Sequence, residues 1–311
     1  MPLLKNLKAK LLRAFAKRMK GKFVYDAAQY PLRKVTEEYV PTAWGPARAL
    51  FYWSNTESAQ PLPVYLNLHG GGFVAGVPEH DDSYCRRLAH NLGCLVVNVD
   101  YVLAPEHPFP AGLRQSFAVL EWLAEQAATL GIDPQRIAVG GHSAGGNLAT
   151  GVANLARGHQ RLRVVHQLID YAALDLSQAP ELKTSTLDKP LLGVGLMRFF
   201  NSCYLSDPAQ ARDPLVSPLL LAVDELRGMP PATLITAEYD ILRLEGEAYA
   251  EKLRQAGVTV TERMFAGCDH MFTHLGPDDS AEQAWQLMED GLREAFQLEA
   301  VAEVRGAGAL A

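Results

Sequence analysis

The most informative stretch of this 311-residue chain is residues 137–150, which read Ile-Ala-Val-Gly-Gly-His-Ser-Ala-Gly-Gly-Asn-Leu-Ala-Thr. An apolar run typical of a buried strand leads into Gly-His-Ser-Ala-Gly, and a helical pattern follows. Glycine two residues before and two residues after Ser143 is what a very sharp strand-to-helix turn requires, because a Cβ at either position would strike the neighbouring chain. Such a turn would lift the Ser143 hydroxyl out at the edge of a sheet, over a helix N-terminus that stabilises negative charge. In this setting the motif predicts a nucleophilic serine rather than an ordinary glycine-rich turn.

A second glycine motif lies upstream. Residues 64–73 read Val-Tyr-Leu-Asn-Leu-His-Gly-Gly-Gly-Phe, a strand pattern that opens into three consecutive glycines. Backbone N–H groups in such a turn can point at an oxyanion, and acyl transfer needs two or three donors aimed at the tetrahedral oxygen. The N–H of Ala144, which follows the serine, is one expected donor. A phosphate-binding loop is disfavoured, because no Lys-Ser or Lys-Thr follows the glycines.

Two later loops supply a candidate acid and a candidate base. A serine hydroxyl at neutral pH needs a histidine base held in the right tautomer by an acid, and the order expected along the chain is serine, acid, histidine. The loop after a strand pattern at 232–236 carries Asp240, and the loop after a strand pattern at 258–264 carries His270. Both loops would stand at the sheet edge where Ser143 lies, so we expect these three side chains to meet.

Two neighbouring carboxylates, Glu238 and Asp269, are alternative acids. Asp240 is favoured over both, because Glu238 lies nearer the strand and Asp269 is too close to the histidine in the chain to turn back onto its imidazole easily. Most of the remaining histidines are interpreted as surface or structural residues. His142, which adjoins the serine, is interpreted as a packed histidine rather than a catalytic one.

The rest of the chain alternates between short β-branched or aromatic runs and longer helical patterns, separated by Gly, Pro, Asn and Asp. Such alternation is typical of βαβ units and a mostly parallel sheet. We therefore predict an α/β fold with an eight-stranded, mostly parallel sheet flanked by helices. The predicted strands are residues 35–42, 47–53, 64–68, 94–99, 137–140, 164–169, 232–236 and 258–264, and the predicted helices are 81–91, 109–130, 144–157, 242–256 and 281–298.

One stretch, residues 174–229, interrupts the alternation. It contains no convincing strand and carries five prolines. An insertion after the sixth strand would lie over the carboxyl edge of the sheet, where open α/β sheets bind their ligands. We therefore expect this insertion to cover a ligand pocket.

Residues 4–19 form an amphipathic, basic helical pattern. The apolar members at helical spacing are Leu4, Leu7, Leu11, Leu12, Phe15 and Met19, with lysines and arginines elsewhere around the wheel. A helix of this kind either docks on a membrane surface or a partner, or covers an apolar surface of its own protein. We favour the second interpretation, because the apolar face carries no interfacial tryptophan. The row Leu4, Leu7, Leu11, Phe15 and Met19 is then expected to be buried.

Composition and charge argue against several classes of protein. No apolar run approaches the roughly 18 residues that a spanning helix needs, and no signal-peptide pattern is present. The net charge is −6. Because the first 24 residues hold eight basic side chains and no acid, the rest of the chain is more acidic still. A nucleic-acid-binding protein is therefore disfavoured. The four cysteines form no CxxC pair, which indicates a reducing, cytoplasmic setting. No metal-ligand spacing such as His-Glu-x-x-His occurs, so no metal ion is implied.

Taken together, these motifs resemble those of the hormone-sensitive-lipase-like branch of the α/β-hydrolase family. The resemblance runs from Val64 to Phe272, in order and at plausible spacing. It rests on His-Gly-Gly-Gly-Phe at 69–73, Asp-Tyr-Val-Leu-Ala-Pro-Glu-His-Pro-Phe-Pro at 100–110, Gly-His-Ser-Ala-Gly-Gly-Asn-Leu-Ala at 141–149, Glu-Tyr-Asp-Ile-Leu-Arg at 238–243 and Gly-Cys-Asp-His-Met-Phe at 267–272.

The resemblance implies a role for each candidate residue. It implies a catalytic triad of Ser143, Asp240 and His270. It assigns the oxyanion-hole N–H groups to Gly71, Gly72 and Ala144, with Gly70 as a further candidate. The family usually has Asp at the position of His142, a departure that leaves the triad intact and bears on substrate preference and pH profile.

The resemblance also implies a domain organisation. Residues 46–173 and 230–300 would form the α/β-hydrolase core. Residues 1–45 and 174–229 would form a helical cap over it, and residues 301–311 a flexible tail.

The implied activity is that of a serine carboxylesterase on small, uncharged esters of short or medium acyl chain, through a covalent acyl-enzyme and without cofactor or metal ion. The expected partner is thus a small-molecule ester, and the oligomeric state stays open. Three alternatives remain. An amide-cleaving hydrolase would share every motif, a membrane-docked lipase would depend on the basic helix, and a non-catalytic ligand receptor would be expected to lack His270.

Overall fold

The computed structural model describes residues 2–19, 27–56 and 60–298. Within these ranges it contains one sheet of eight strands: β1 (Lys34–Val40), β2 (Ala47–Trp53), β3 (Leu62–Leu68), β4 (Leu95–Asp100), β5 (Ile132–His142), β6 (Val164–Asp170), β7 (Ala232–Ala237) and β8 (Val260–Phe265). The described residues also form nine α-helices: α1 (Pro2–Ala16), α2 (Asp82–Leu92), α3 (Ala111–Glu125), α4 (Ala127–Leu130), α5 (Ala144–Leu155), α6 (Val194–Tyr204), α7 (Arg243–Gln255), α8 (Phe272–Leu275) and α9 (Asp278–Ala295). The predicted tail at 301–311 lies outside the described residues.

The strands lie in the order β1-β2-β4-β3-β5-β6-β7-β8. β2 pairs antiparallel with β1 and β4, and every other neighbouring pair is parallel. The predicted α/β fold with an eight-stranded, mostly parallel sheet is therefore confirmed. Because β3, β5, β7 and β8 are parallel, the loops after them meet at one carboxyl edge.

Helices cover both faces of the sheet, and the central strands are apolar on both sides for that reason. Leu66 of β3 packs in the apolar cluster that includes Leu148 of α5. Its neighbour Tyr65 points to the opposite face and packs in the cluster that includes Trp285 of α9. The carboxyl edge is thus fixed between two packed layers of helices.

The first strand corrects one predicted boundary. β1 pairs along its whole length with β2, from Lys34 opposite Trp53 to Val40 opposite Ala47. Residues 34–40 therefore belong to the sheet. The predicted cap of residues 1–45 includes them.

The insertion between β6 and β7 packs on the turn that follows β3. Residues 174–229, all of them described, contain α6 and short 3₁₀ turns but no strand, as the sequence predicts. The ring of Tyr204 stacks on that of Phe73, with 3.8 Å between the ring centroids. The ring of Phe200 lies directly against Gly72. The insertion consequently stands over the carboxyl edge of the sheet.

Helix α1 presents a different face to the protein from the one that the sequence predicts. Its apolar row is exposed, at 53–64% for Leu4, Leu7, Leu11 and Phe15, so the expectation that this row is buried is wrong. The face turned inward is that of Ala9, which is fully buried. The reason is polar: Arg13 donates hydrogen bonds to the carbonyl oxygens of Val74 and Ala104. The side chain of Met19 lies outside what the structure describes.

Each helix in the described ranges is too short or too polar to span a bilayer.

Candidate active site

Ser143 occupies a strained turn between β5 and α5. Its φ of +53° is uncommon for a residue with a side chain. The turn is stabilised by a hydrogen bond of 2.9 Å that the Ser143 N–H donates to the Asp170 carbonyl oxygen. A Cβ on Gly141 or Gly145 would lie 2.1 or 1.8 Å from the carbonyl oxygen of Leu68, so neither position tolerates a side chain. The structure therefore confirms the steric reason predicted for glycine at these two positions.

The three predicted triad side chains lie in one hydrogen-bonded row. His270 Nε2 is 3.0 Å from Ser143 Oγ, and His270 Nδ1 is 2.6 Å from Asp240 Oδ2. A carboxylate can only accept a hydrogen bond, so Nδ1 carries the proton and the lone pair of Nε2 faces the hydroxyl. All three side chains are buried. This geometry lets His270 remove the serine proton.

The pKa of His270 reflects two opposing effects. Burial disfavours the charged imidazole, whereas the attraction and the hydrogen bond of Asp240 favour it. Burial is the largest single effect, but Asp240 together with the nearby charges of Asp269 and Asp170 outweighs it, so the pKa of His270 is raised above its ordinary value. Asp240 is itself fixed by the N–H of Leu242, which donates to its other oxygen at 3.0 Å.

The two alternative acids face elsewhere. Asp269 accepts a hydrogen bond from the N–H of His270 on one oxygen and from the N–H of Leu191 on the other, each at 2.7 Å. Glu238 accepts one from the N–H of Gly267, also at 2.7 Å. Each carboxylate thus holds a loop in place, and these contacts direct it to backbone rather than to the imidazole.

The glycine turn after β3 lies next to the serine. A Cβ on Gly70 would be 3.7 Å from the Cβ of Ser143, which shows how closely this backbone passes the hydroxyl. Gly71 and Gly72 have φ of +121° and +61°, a conformation that a side chain disfavours. The Tyr101 hydroxyl braces the turn by donating to the His69 carbonyl oxygen at 2.8 Å.

Behind the strand-to-helix turn, His142 lies between two buried carboxylates. Its Nδ1 is 3.2 Å from Asp170 Oδ2, and its Nε2 is 3.3 Å from Asp81 Oδ2. The Thr273 hydroxyl donates to the same Asp170 oxygen at 2.8 Å, and His274 Nε2 is 3.2 Å from Asp81 Oδ1. The sequence interpretation of His142 as a packed histidine did not identify these partners. The only available signal was that Asp170 directly follows the predicted strand 164–169.

The pKa shifts in this network follow from burial and from the charges that face one another. Burial opposes an imidazolium at His142, but the charges of Asp81 and Asp170 and the hydrogen bonds to both together outweigh it and raise the pKa of His142 to about 9. Despite the cost of burial, His142 holds the pKa of Asp81 well below its usual range. Burial and the charge on His142 lower the pKa of His274. At neutral pH the network therefore contains a charged His142 and a neutral His274.

Residues of this network also have side chains of the types that bind metal ions, so we ask whether they form a metal centre. Among the residues that the structure describes, Asp81, His142 and His274 form the one group of three potential ligands whose ligand atoms lie within 4.8 Å of one another. Each ring nitrogen of His142 already faces a carboxylate oxygen, at 3.2 Å for Nδ1 and 3.3 Å for Nε2. The Asn67 amide also donates to Asp81 at 2.7 Å. The group therefore fits a hydrogen-bonded network better than a metal centre.

Comparison with known proteins finds esterases among the proteins that this chain is similar to. A family model described as the α/β hydrolase fold matches residues 65–274. Carboxylesterase NlhH of Mycobacterium tuberculosis is 42% identical over 201 residues, 64% of this chain and 63% of that protein. Ethyl acetate hydrolase of Pseudomonas putida is 38% identical over 212 residues, 68% of this chain and 66% of that protein.

The chain thus spans slightly less than two thirds of the length of these two relatives. A likeness over nearly the whole chain comes from the crystal structure of EstE1, a thermophilic and thermostable carboxylesterase cloned from a metagenomic library. That structure is 36% identical, with a TM-score of 0.83 over 94% of this chain and 98% of the EstE1 chain.

Proposed function

Since the chain belongs to the α/β hydrolase family, in the hormone-sensitive-lipase-like branch that its motifs resemble, we propose that it is a serine carboxylesterase. The observation that carries this proposal is the row of Ser143, His270 and Asp240 at the carboxyl edge of the sheet. The relatives named above support the same class of reaction, because their names describe ester hydrolases.

The first half of the reaction forms an acyl-enzyme. Ser143 Oγ bonds the carbonyl carbon of the ester while its proton passes to His270 Nε2. The carbon–oxygen bond to the alcohol then breaks, and the alcohol leaves with the proton from His270. Asp240 keeps the other ring nitrogen protonated and stabilises the imidazolium that forms.

The second half returns the enzyme to its starting state. A water molecule gives a proton to His270 as its oxygen bonds the acyl carbon. The bond to Ser143 Oγ breaks, the serine recovers the proton, and the carboxylic acid leaves. The proton and the acyl group are thereby balanced without a cofactor or a metal ion.

Backbone N–H groups of Gly71, Gly72 and Ala144, with Gly70 as a further candidate, would stabilise the tetrahedral oxygen in both halves. The support is that the glycine turn passes beside the serine and that Ala144 begins α5. Removal of one such donor costs other enzymes roughly 10² to 10³ in kcat, so this contribution is large.

The substrates proposed are small uncharged esters of short or medium acyl chain. The insertion supplies apolar side chains over the carboxyl edge, of which Leu192 and Met197 are buried and Phe199 and Phe200 half-buried. The name of the Pseudomonas putida relative specifies ethyl acetate, a substrate of this class. We propose that this insertion and the N-terminal residues before β1 form the cap.

The setting proposed is reducing and cytoplasmic, since all four cysteines are buried free thiols. An amide-cleaving hydrolase remains the alternative that shares every feature of the site. A panel of matched p-nitrophenyl esters and p-nitroanilides separates the two.

The test of the proposal combines labelling with mutation. An organophosphate should modify Ser143, and Ser143→Ala should lower kcat on p-nitrophenyl butyrate by roughly 10⁴ to 10⁶, because the triad works as a unit. Mass spectrometry locates the label. A label on another serine, or a variant within tenfold of the parent, would reject the assignment.

A further inference from the structure

Helix α1 is held to the protein by one face, on which buried Ala9 is accompanied by polar contacts. The Lys5 ammonium donates to the Ser202 carbonyl oxygen at 2.5 Å, and Arg13 Nε donates to the Val74 carbonyl oxygen at 2.7 Å. Arg13 also forms an ion pair with Glu106 at 2.6 Å. These contacts fix which face of the helix turns inward, and the opposite face must then turn outward.

The outward face is an apolar stripe. Leu4, Leu7, Leu11 and Phe15 are each more than half exposed. They follow one another at spacings of three and four residues, so they form a single row about 16 Å long. Isolated apolar residues are ordinary on a protein surface, but four in a continuous row mark an interaction site.

Cations border this stripe. At 100° per residue, exposed Lys8 and Lys10 lie on opposite sides of the row, and exposed Lys17 and Arg18 follow its C-terminal end. α1 itself contains no acidic side chain. An apolar row between lysines is the arrangement that lies in the boundary of an anionic bilayer, with its apolar side chains among the acyl chains and its ammonium groups on the headgroup phosphates.

We propose that α1 docks this enzyme on an anionic lipid surface through the stripe Leu4, Leu7, Leu11 and Phe15. A second copy of the chain fits this face less well. Two stripes in contact would bring Lys8 and Lys10 of one copy beside the same residues of the other, with no carboxylate on α1 to separate them. Anionic headgroups neutralise those charges.

The position of α1 gives docking a consequence for substrate supply. Lys5 binds the end of α6, and Phe200 of that helix lies against Gly72 beside the serine. The docked helix is thus next to the segment that covers the site, so esters dissolved in the bilayer are the substrates delivered there. Docking itself does not rest on the proposed function, because it can be measured without catalysis.

The experiment is co-sedimentation of the full-length protein with large unilamellar vesicles. We expect binding to vesicles of phosphatidylcholine with 30% phosphatidylserine, at least tenfold weaker binding to phosphatidylcholine alone, and loss of binding in high salt. The double variant Leu11→Asp, Phe15→Asp should bind at least tenfold more weakly. Leu244→Asp is the matched control, since Leu244 is 57% exposed on α7, and it should bind like the parent.

Two results would overturn the proposal. One is equal binding of the parent and the double variant to the anionic vesicles, provided that circular dichroism shows both to be folded. The other is a parent that does not bind these vesicles but is a dimer by light scattering, which the double variant turns into a monomer. That second result would assign the stripe to another copy of the chain.

Discussion

Asp240 Oδ2 lies 2.6 Å from His270 Nδ1, although the two residues are 30 positions apart, while the neighbouring Asp269 directs its carboxylate to backbone N–H groups. We therefore expect Asp240→Asn to lower kcat by about 10⁴, because an amide there favours the wrong imidazole tautomer. Asp269→Asn should change kcat far less. Steady-state kinetics on p-nitrophenyl butyrate measures both, and the reverse order of effects would show that the acid is misassigned.

The contact between Gly72 and Phe200 leads to a second prediction. A Cβ on Gly72 would lie 2.2 Å from that ring, at a φ of +61°. Gly72→Ala should displace the glycine turn that we propose holds the oxyanion, and should lower kcat by at least about 100-fold, the usual effect of losing an oxyanion donor.

The matched control for that variant is Gly195→Ala in α6, where an added Cβ meets nothing within 4 Å. It should retain the parent's kcat. Adding Phe200→Ala to Gly72→Ala removes the clash and should restore part of the activity. Full activity in the single Gly72→Ala variant would contradict a role for this turn.

Acyl-chain length provides a third prediction. Each further buried CH₂ adds about 0.8 kcal/mol of binding until the pocket ends, so kcat/KM on p-nitrophenyl esters should rise and then fall, with its maximum at about four to eight carbons. A series from acetate to palmitate measures it. Highest activity on palmitate or on emulsified triglyceride would contradict an enclosed pocket.

The stability of the protein should depend on pH through His142. Its pKa is about 9 in the folded protein against 6.5 ordinarily, so the folded state binds the proton more tightly. The resulting stabilisation is complete below about pH 6.5 and is lost as the pH rises towards 9 and above. The loss amounts to roughly 3 kcal/mol, at 1.36 kcal/mol for each pH unit.

Urea unfolding at pH 6.5 and 9.5 tests this dependence. His142→Gln should remove most of the difference between the two pH values. His166→Gln is the control, because burial lowers the pKa of His166 to about 4 and keeps it neutral across this range. An equal fall in the His142→Gln variant and in the parent would place the titration on another group.

The features predicted correctly from the sequence are those with a local steric or periodic cause. The Gly-His-Ser-Ala-Gly turn is one such feature. Two glycines around a serine after an apolar run indicate a close approach of two backbone segments, and Gly145 approaches Leu68 in this way. The strands are another, since their apolar runs are long enough to be recognised without knowledge of their neighbours.

The features not predicted depend on partners that are distant in the chain. Periodicity reveals an apolar stripe on α1, but its orientation depends on the carbonyl oxygens to which Arg13 binds, and carbonyl oxygens carry no sequence signal. Likewise, the environment of His142 comes from Asp81 and Asp170, on two other segments. No local pattern could pair them.

The order in which the site residues follow one another along the chain matters if the protein is divided into two fragments. The serine and the glycine turn belong to the segment that ends with β6, whereas Asp240 and His270 follow β7 and the edge strand β8. A break in the exposed part of the intervening insertion would therefore separate Ser143, the proposed nucleophile, from His270, the proposed base, and each fragment alone should be inactive. Ester hydrolysis would return only on reassembly, which makes this fold a natural basis for a split reporter of protein association.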